Sequence, residues 1–380
     1  MIIMRLVYCI AGTRHSGGME RVLANKANYW VRHGHDVTIV TTDQHGELPF
    51  FHLDTRVKCI DLEVNYEDNN GKSVWNKLVY YPYKQYVHRK RLQSILKREQ
   101  PDITISMFCN EAAFLPNIKE GGLKVLEIHF SKYKRLQYGR KGLWRWVDIV
   151  RSRYDEILVK KYDRFVVLTE EDKSYWGALP NMVVIPNART FTPTNTSLLQ
   201  NKIVLAVGRL TYQKGFERLI EAWSLLNDKF PDWKLVIVGD GEKKEELEQL
   251  VVDSCLQDSV FLKAPVKDME QLYREASVIA MTSRYEGLPM ILLEAQAYGI
   301  PIVSFKCQCG PADIITDGKD GFLVPEGNVP MMAEKLSMLM SDYQLRAKMG
   351  KAAVLSSKRF DEERVMQQWE NLFSSLLNKI

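Results

Sequence analysis

Short apolar, β-branched runs alternate with stretches of helical period along the whole 380-residue chain. Ile2–Ile10 predicts a strand that Ala11 and Gly12 end. Val22, Leu23, Ala27 and Trp30 or Val31 recur at helical spacing, so Gly18–Arg32 predicts a helix, with Gly34 placed to stop it. Asp36–Thr42 predicts the next strand, followed by Val57–Leu62, Asp102–Met107, Leu123–His129, Arg164–Thr169 and Met182–Pro186. Helices are expected over Val74–Arg98, interrupted at Pro82, and over Arg140–Lys161. Thr190–Ser197 is polar, proline-bearing and without period, and reads as an inter-domain linker. Strands resume at Lys202–Val207, Trp233–Val238, Val260–Leu262, Val278–Met281, Ile300–Phe305 and Gly321–Val324, with helices between.

Alternating strands and helices imply parallel sheets covered on both faces. The expected fold is therefore α/β, with two Rossmann-like doubly wound domains and a cleft between them. The domains are drawn at residues 1–189 and 202–360, joined by a linker at 190–201. A last helix at 361–380 is expected to pack back on the first domain.

Composition narrows the class. Hydrophobic residues are 46% and charged residues 26%, which excludes a disordered or low-complexity chain. No uncharged apolar run reaches the ~18 residues of a spanning helix. Arg5 interrupts the apolar opening, which reads as a buried strand rather than a signal peptide. The six cysteines form no Cys-x-x-Cys pair and are expected as reduced thiols in a cytoplasmic protein.

The net charge of +5 is unevenly spread. Residues 1–190 carry 30 Lys+Arg against 21 Asp+Glu, and residues 191–380 carry 22 against 26. The first half thus favours an anionic partner. Its most basic stretch, Ser131–Arg153, sets eight cations, including Lys134, Arg135, Lys141 and Arg145, against Asp148. Tyr133, Tyr138, Trp144 and Trp146 are interleaved, a mixture that suits a lipid headgroup surface or nucleic acid. Leu136, Leu143, Val147, Val150 and Tyr154 recur at helical spacing and are expected to face the core, leaving Lys141, Arg145 and Trp146 toward lipid.

Several strand-to-helix turns carry candidate chemistry. Gly17 and Gly18 open the first helix, where the backbone can approach an anionic ligand. Arg209 and Lys214 flank the turn after Lys202–Val207, where a diphosphate fits; Arg grips phosphate oxygens bidentately and Lys acts as a point charge. Glu286-Gly287-Leu288-Pro289-Met290 leads into a helix that carries Glu294 among apolar residues. An acid in such surroundings needs hydrogen-bond donors, which vicinal ribose hydroxyls would supply. Cys307 and Cys309 lack two further ligands for a metal. His129, at the end of a strand and just before the basic stretch, is either structural or part of a site.

Taken in order, these motifs resemble the retaining glycosyltransferases of family 4, with the GT-B fold. The likeness runs from about Met4 to about Pro325 and rests on Gly-Gly-Met-Glu-Arg at 17–21, Val-Gly-Arg at 207–209, Lys214-Gly215, Gly239-Asp240-Gly241, Glu286-Gly-Leu-Pro289, Glu294-Ala295, Gly299-Ile-Pro301 and Asp317-Gly-x-x-Gly321. The resemblance implies a sugar-nucleotide donor held mainly by the second domain. Arg209 and Lys214 would bind its diphosphate, Glu294 the ribose and Glu286 the sugar. The backbone of Leu288–Met290 would lie by the phosphates and sugar, with Gly17 and Gly18 approaching the donor from the first domain. His129 matches the family's active-site histidine. The chain departs from the family at Ala264 and Asp313, where glycine and glutamate are common. The Cys-x-Cys-Gly-Pro segment looks like the subgroup that moves hexoses or N-acetylhexosamines from UDP-sugars in bacterial surface polysaccharide assembly.

The expected reaction is a metal-independent, retaining transfer to a saccharide or polyprenyl-diphosphate-linked acceptor, with no cofactor and no nucleic acid partner. The chain contains no Asp-x-Asp. The expected location is the inner face of the cell membrane, peripherally attached. A UDP-sugar 2-epimerase on the same fold and a nonenzymatic sugar-nucleotide or nucleic-acid binder are the alternatives. An epimerase would release UDP without regard to an acceptor, and a binder would show no turnover.

Overall fold

The structure, a computed structural model, describes residues 3–69, 74–137, 142–190, 192–266 and 268–378. It divides into unit 1, Met1–Ala188 with Glu363–Ile380, and unit 2, Arg189–Glu362.

Unit 1 contains β1 (Arg5–Cys9), β2 (Asp36–Thr41), β3 (Lys58–Asp61), β4 (Ile103–Ser106), β5 (Leu123–Glu127), β6 (Arg164–Val167) and β7 (Met182–Val184). They form one parallel sheet in the order β3-β2-β1-β4-β5-β6-β7. The two-residue period of a strand splits the core into two layers. Leu6 and Tyr8 face the helix Gly18–Arg32, whereas Val7 and Cys9 face Leu92 and Leu96 of the helix Val74–Glu99. The last helix, Glu362–Leu377, belongs to the first of these layers. Val365, Met366, Trp369, Leu372, Phe373 and Leu376 recur at helical spacing and are buried there. The Trp30 and Phe373 rings lie 5.6 Å apart, and the Tyr29 hydroxyl donates to Glu363 at 3.0 Å.

Two local expectations are corrected. The helix Val74–Glu99 continues through Pro82. Pro82 is exposed, so water can take the hydrogen bond that its missing N–H leaves unmade. β5 ends at Glu127, two residues before His129.

The same helix buries His88, whose Nδ1 lies 3.1 Å from the Tyr66 hydroxyl. Burial lowers its pKa to about 4. The unfolded chain therefore binds a proton that the fold rejects, and stability present above pH ~6.5 is lost as pH falls toward 4. The expected loss is roughly 3 kcal/mol. It is read as the pH dependence of the urea midpoint of the wild type against His88→Leu, and parallel curves would remove His88 as its source.

Unit 2 contains β8 (Ile203–Val207), β9 (Lys234–Val238), β10 (Val260–Lys263), β11 (Val278–Met281), β12 (Ile302–Lys306) and β13 (Gly321–Pro325). They form a parallel sheet in the order β10-β9-β8-β11-β12-β13. The segment read as a linker is bonded into this unit. Ser197 N donates to Tyr298 O at 2.8 Å, and its Oγ donates to Ala276 O at 2.6 Å. In each sheet the chain order reverses at one point, between β1 and β4 and between β8 and β11. Loops leaving the carboxyl ends of strands at such a point are where open α/β sheets bind ligands.

Candidate active site

In unit 2 the loops after β8 and β11 interlock at the switch point. Arg284 N donates to Gln213 O at 2.8 Å, Gln213 Nε2 to Tyr285 O at 2.9 Å and Thr282 Oγ1 to Lys214 O at 3.2 Å. Gly215 allows this closeness. Its φ is +62°, and a Cβ there would sit 2.5 Å from Thr282 O. The interlocking brings Lys214 Nζ within 2.7 Å of Glu286 Oε1. Both side chains are largely buried. The expected phosphate cation and the expected sugar carboxylate are thus each other's partners here. Arg209, on the same loop, is exposed.

Glu286 N donates to Gln308 O at 3.1 Å, which ties the Glu286 loop to the segment after β12. Gly287, Leu288 and Pro289 then lead into the helix Met290–Ala297, with Pro289 as its N-cap. The N-terminus of that helix favours negative charge. Glu294 is buried on this helix, and its two oxygens accept from the hydroxyls of Thr190, at 2.6 Å, and Tyr273. The donors expected from a ribose are supplied here by the chain. Glu294→Ala therefore carries a stability cost as well as any effect on nucleotide. Removing the carboxylate that the buried Tyr273 hydroxyl donates to costs about 1–3 kcal/mol. Tm should fall by several degrees, at about 2–4 °C per kcal/mol. An unchanged Tm would show that these hydroxyls find other acceptors.

In unit 1, Gly17 caps the helix Gly18–Arg32. A Cβ on Gly17 would meet the Glu20 carboxylate at 2.1 Å, but one on Gly18 would meet no atom within 4 Å. Internal packing thus gives no reason for glycine at Gly18, which leaves room for a ligand to approach the backbone. Beyond β5, His129 Nε2 lies 3.2 Å from Glu127 Oε1, outside hydrogen-bond geometry. Glu127 is fully buried, and its Oε1 also accepts from Lys26 Nζ of the first helix. Burial opposes ionisation of Glu127, but Lys26 and His129 hold its pKa low, at about 2. Lys26 is itself lowered by burial.

Sequence reasoning missed Lys26 and Glu127. The available signal was a lysine inside the apolar stripe of Leu23, Ala27 and Trp30, together with an acid closing an apolar strand. It also missed Glu111, buried after β4, where Ser106 Oγ donates to it at 2.6 Å and burial pushes its pKa up to about 7.

The basic stretch differs from expectation. Lys134 Nζ lies over the Phe130 ring, 4.3 Å from its centre, and Arg135 Nε pairs with Asp155 at 3.1 Å. Lys141 lies outside the described residues, as do Tyr138 and Arg140. Arg145 is exposed on the helix Leu143–Leu158. Most of the apolar stripe does not face the core: Leu136 and Tyr154 are exposed, Val150 is 63% exposed and Val147 is half-buried, while the side chain of Leu143 lies outside what the structure describes. The inward side of the helix instead holds Asp148 and Leu158. Trp146 and Ile157 join the outward apolar face, and Trp146 is 67% exposed; Trp144 is exposed too, on another side of the helix. On the helix Val74–Glu99, Tyr80, Tyr81, Tyr83 and Tyr86 are exposed as well.

Among the described residues, no group of three or more His, Cys, Asp or Glu is placed to hold a metal ion. No described helix is long and apolar enough to cross a membrane.

Two tandem doubly wound parallel sheets, each with its loops gathered at a switch point, define the GT-B class of fold. Residues 16–189 match the family model Glycosyltransferase Family 4, and residues 190–355 match Glycosyl transferases group 1. The chain is 31% identical to the amylovoran biosynthesis glycosyltransferase AmsD of Erwinia amylovora, across 97% of this chain and 99% of that one. It is 28% identical, across 99% of this chain and 100% of the other, to an alpha-1,4-N-acetyl-D-galactosaminyltransferase of Campylobacter jejuni named for a saccharide on PP-undecaprenol. Among solved structures, a Staphylococcus aureus TarM mutant in complex with Fondaparinux, alpha-GlcNAc-glycerol and UDP superposes with a TM-score of 0.77 at 19% identity, covering 98% of this chain and 100% of that one. The chain belongs to the family 4 glycosyltransferases of GT-B fold and is a glycosyltransferase of polysaccharide biosynthesis.

Proposed function

We propose that the protein is a retaining, metal-independent transferase that moves a hexose or N-acetylhexosamine from a UDP-sugar to a saccharide or polyprenyl-diphosphate-linked saccharide. The Lys214–Glu286 pair at the β8/β11 switch point carries this reading. It sets a cation for phosphate beside a carboxylate for sugar hydroxyls, next to the N-terminus of the helix Met290–Ala297. Arg209 and Lys214 hold the diphosphate, Glu286 the sugar, Glu294 the ribose, and the backbone of Gly287–Met290 the phosphates. Gly17 and Gly18 approach the donor from unit 1, and the open space beside Gly18 supports that assignment.

In the proposed reaction the bond from the anomeric carbon to the diphosphate breaks, and the acceptor oxygen bonds to that carbon from the same face. The acceptor's proton passes to the departing phosphate oxygen. The two cations and the helix N-terminus stabilise the charge that develops on the diphosphate, so neither a nucleophile nor a metal is needed. His129 faces the sugar and acts on turnover. The likeness to the Campylobacter enzyme supports a lipid-linked acceptor. The exposed aromatic and basic face of the helix Leu143–Leu158 supports peripheral attachment to the inner face of the cell membrane.

The test is incubation with a panel of UDP-sugars and membrane lipid extracts in excess chelator, with products followed by mass. A glycosylated lipid formed with retained anomeric configuration is expected. UDP release without an acceptor, or activity that returns only with added magnesium or manganese, would overturn the reading.

A further inference from the structure

Lys26 and Glu127 are almost completely enclosed, and no part of the transfer chemistry described above uses them. Burying two ions costs several kcal/mol each, and well-packed apolar residues often stabilise a fold as well or better. The pair therefore invites a reason other than stability. Its surroundings supply one. Glu127 Oε1 is shared between Lys26 Nζ on one side and His129 Nε2, 3.2 Å away, on the other. Oε2 is buried without a hydrogen-bond partner, so the carboxylate's charge is directed to Lys26 and His129. The ammonium is fixed in turn: Lys26 Nζ lies 3.9 Å above the centre of the Trp369 ring, from the last helix. The groups acting on the carboxylate are Lys26 from the first helix and His129 from its own chain segment. Tyr8 of β1 senses the same charge, and its hydroxyl accepts from Trp30 Nε1 at 2.9 Å.

We propose that Lys26 and Glu127 are positioning residues that set the protonation state and orientation of His129, with Glu127 drawing a proton onto the imidazole and Lys26 limiting how far it does so. Nε2 is the nitrogen turned to the carboxylate, on a side chain that is itself almost wholly enclosed. A carboxylate alone beside a histidine favours the imidazolium. A carboxylate already paired with an ammonium does so less, so Lys26 tempers the pull of Glu127 on the ring. The proposal rests on the reading of His129 as part of the active site, but its central test does not require turnover.

That test is an NMR titration of the His129 imidazole in the ligand-free full-length chain, with the resonance assigned by its loss in His129→Gln. Lys26→Met removes the competing cation, and the His129 midpoint should rise by about one pH unit. Glu127→Gln removes the negative charge beside the ring and leaves the Lys26 ammonium without its counter-charge, so the midpoint should fall by a similar amount. The double variant, with both charges gone, should return toward the wild type and covers the case in which one single variant folds poorly. The acid limb of the kcat profile should move in the same order, with KM for the UDP-sugar little changed. A purely structural pair would alter thermal stability and leave both readouts in place. Titration midpoints that coincide in all four proteins would overturn the proposal. A fully active His129→Ala would instead remove His129 from the reaction while leaving the ordering of the midpoints to stand, so the two failures are distinguishable.

Discussion

Lys214→Ala should lower turnover by roughly two to three powers of ten, and Arg209→Ala by a similar factor. In the proposed reaction each removes one positive group from the place where charge develops on the departing diphosphate, an effect worth about 2.7–4 kcal/mol for a single preorganised donor. The ion pair adds a feature that motif reading alone does not contain. In the ligand-free protein Lys214 is held by Glu286 at 2.7 Å, so an incoming phosphate competes with that carboxylate. Glu286→Ala should therefore separate the two ligands sharply. The UDP-sugar loses its hydroxyl acceptor and binds much more weakly. Free UDP loses nothing at the sugar position and gains an unpaired Lys214, so its affinity should hold or improve. Calorimetric titration of both ligands against the variant distinguishes these outcomes. Equal losses for UDP and UDP-sugar would remove Glu286 from the sugar site and make the pair a simple loop clasp.

Local pattern carried the elements well. β-branched runs such as Asp36–Thr41 and the apolar spacing of Gly18–Arg32 register as strand and helix because each period is written within a few residues. The candidate residues of the turns stand out for the same reason: Arg209, Lys214, Glu286 and Glu294 are polar residues at strand exits or on an apolar helix. Their partners were not. Lys214 and Glu286 lie 72 residues apart, and Lys26 and Glu127 lie 101 apart. No local spacing connects such pairs; the order of strands in the sheets does. Glu294 shows the same limit. Its need for donors could be read from its neighbours, but Tyr273 arrives from a different helix and Thr190 from the segment read as a linker.

The helix Leu143–Leu158 marks a further limit. A helical stripe shows that apolar residues share a face, but not whether the protein itself covers that face. Here Asp148 points inward and Val150 outward, the reverse of the simplest reading. An uncovered stripe of this kind signals a partner rather than a packing fault.

The partner proposed for that stripe is an anionic membrane surface, and the expected result is loss of vesicle binding when its free cations are neutralised. Lys134 and Arg135 already engage Phe130 and Asp155, so the weight falls on the exposed Arg145, Arg151 and Arg153. Each cation near an anionic leaflet contributes about 1 kcal/mol, decaying over a Debye length of about 8 Å at physiological salt. At about 100° per residue the three spread around the helix, so together they contribute at most about 3 kcal/mol, a ceiling on the order of a hundredfold in affinity. Replacing all three by glutamine should therefore release the protein from vesicles rich in phosphatidylglycerol. Binding to neutral phosphatidylcholine vesicles, weak from the start, should hardly change. Trp146→Ala should weaken binding to both, because the indole contributes apolar contact that does not depend on lipid charge. Activity on a lipid-linked acceptor should fall with vesicle binding, whereas activity on a short soluble saccharide should survive in both variants. If the triple variant still co-sediments with acidic vesicles at physiological salt, this helix face serves some other partner and the lipid acceptor reaches the enzyme by another route.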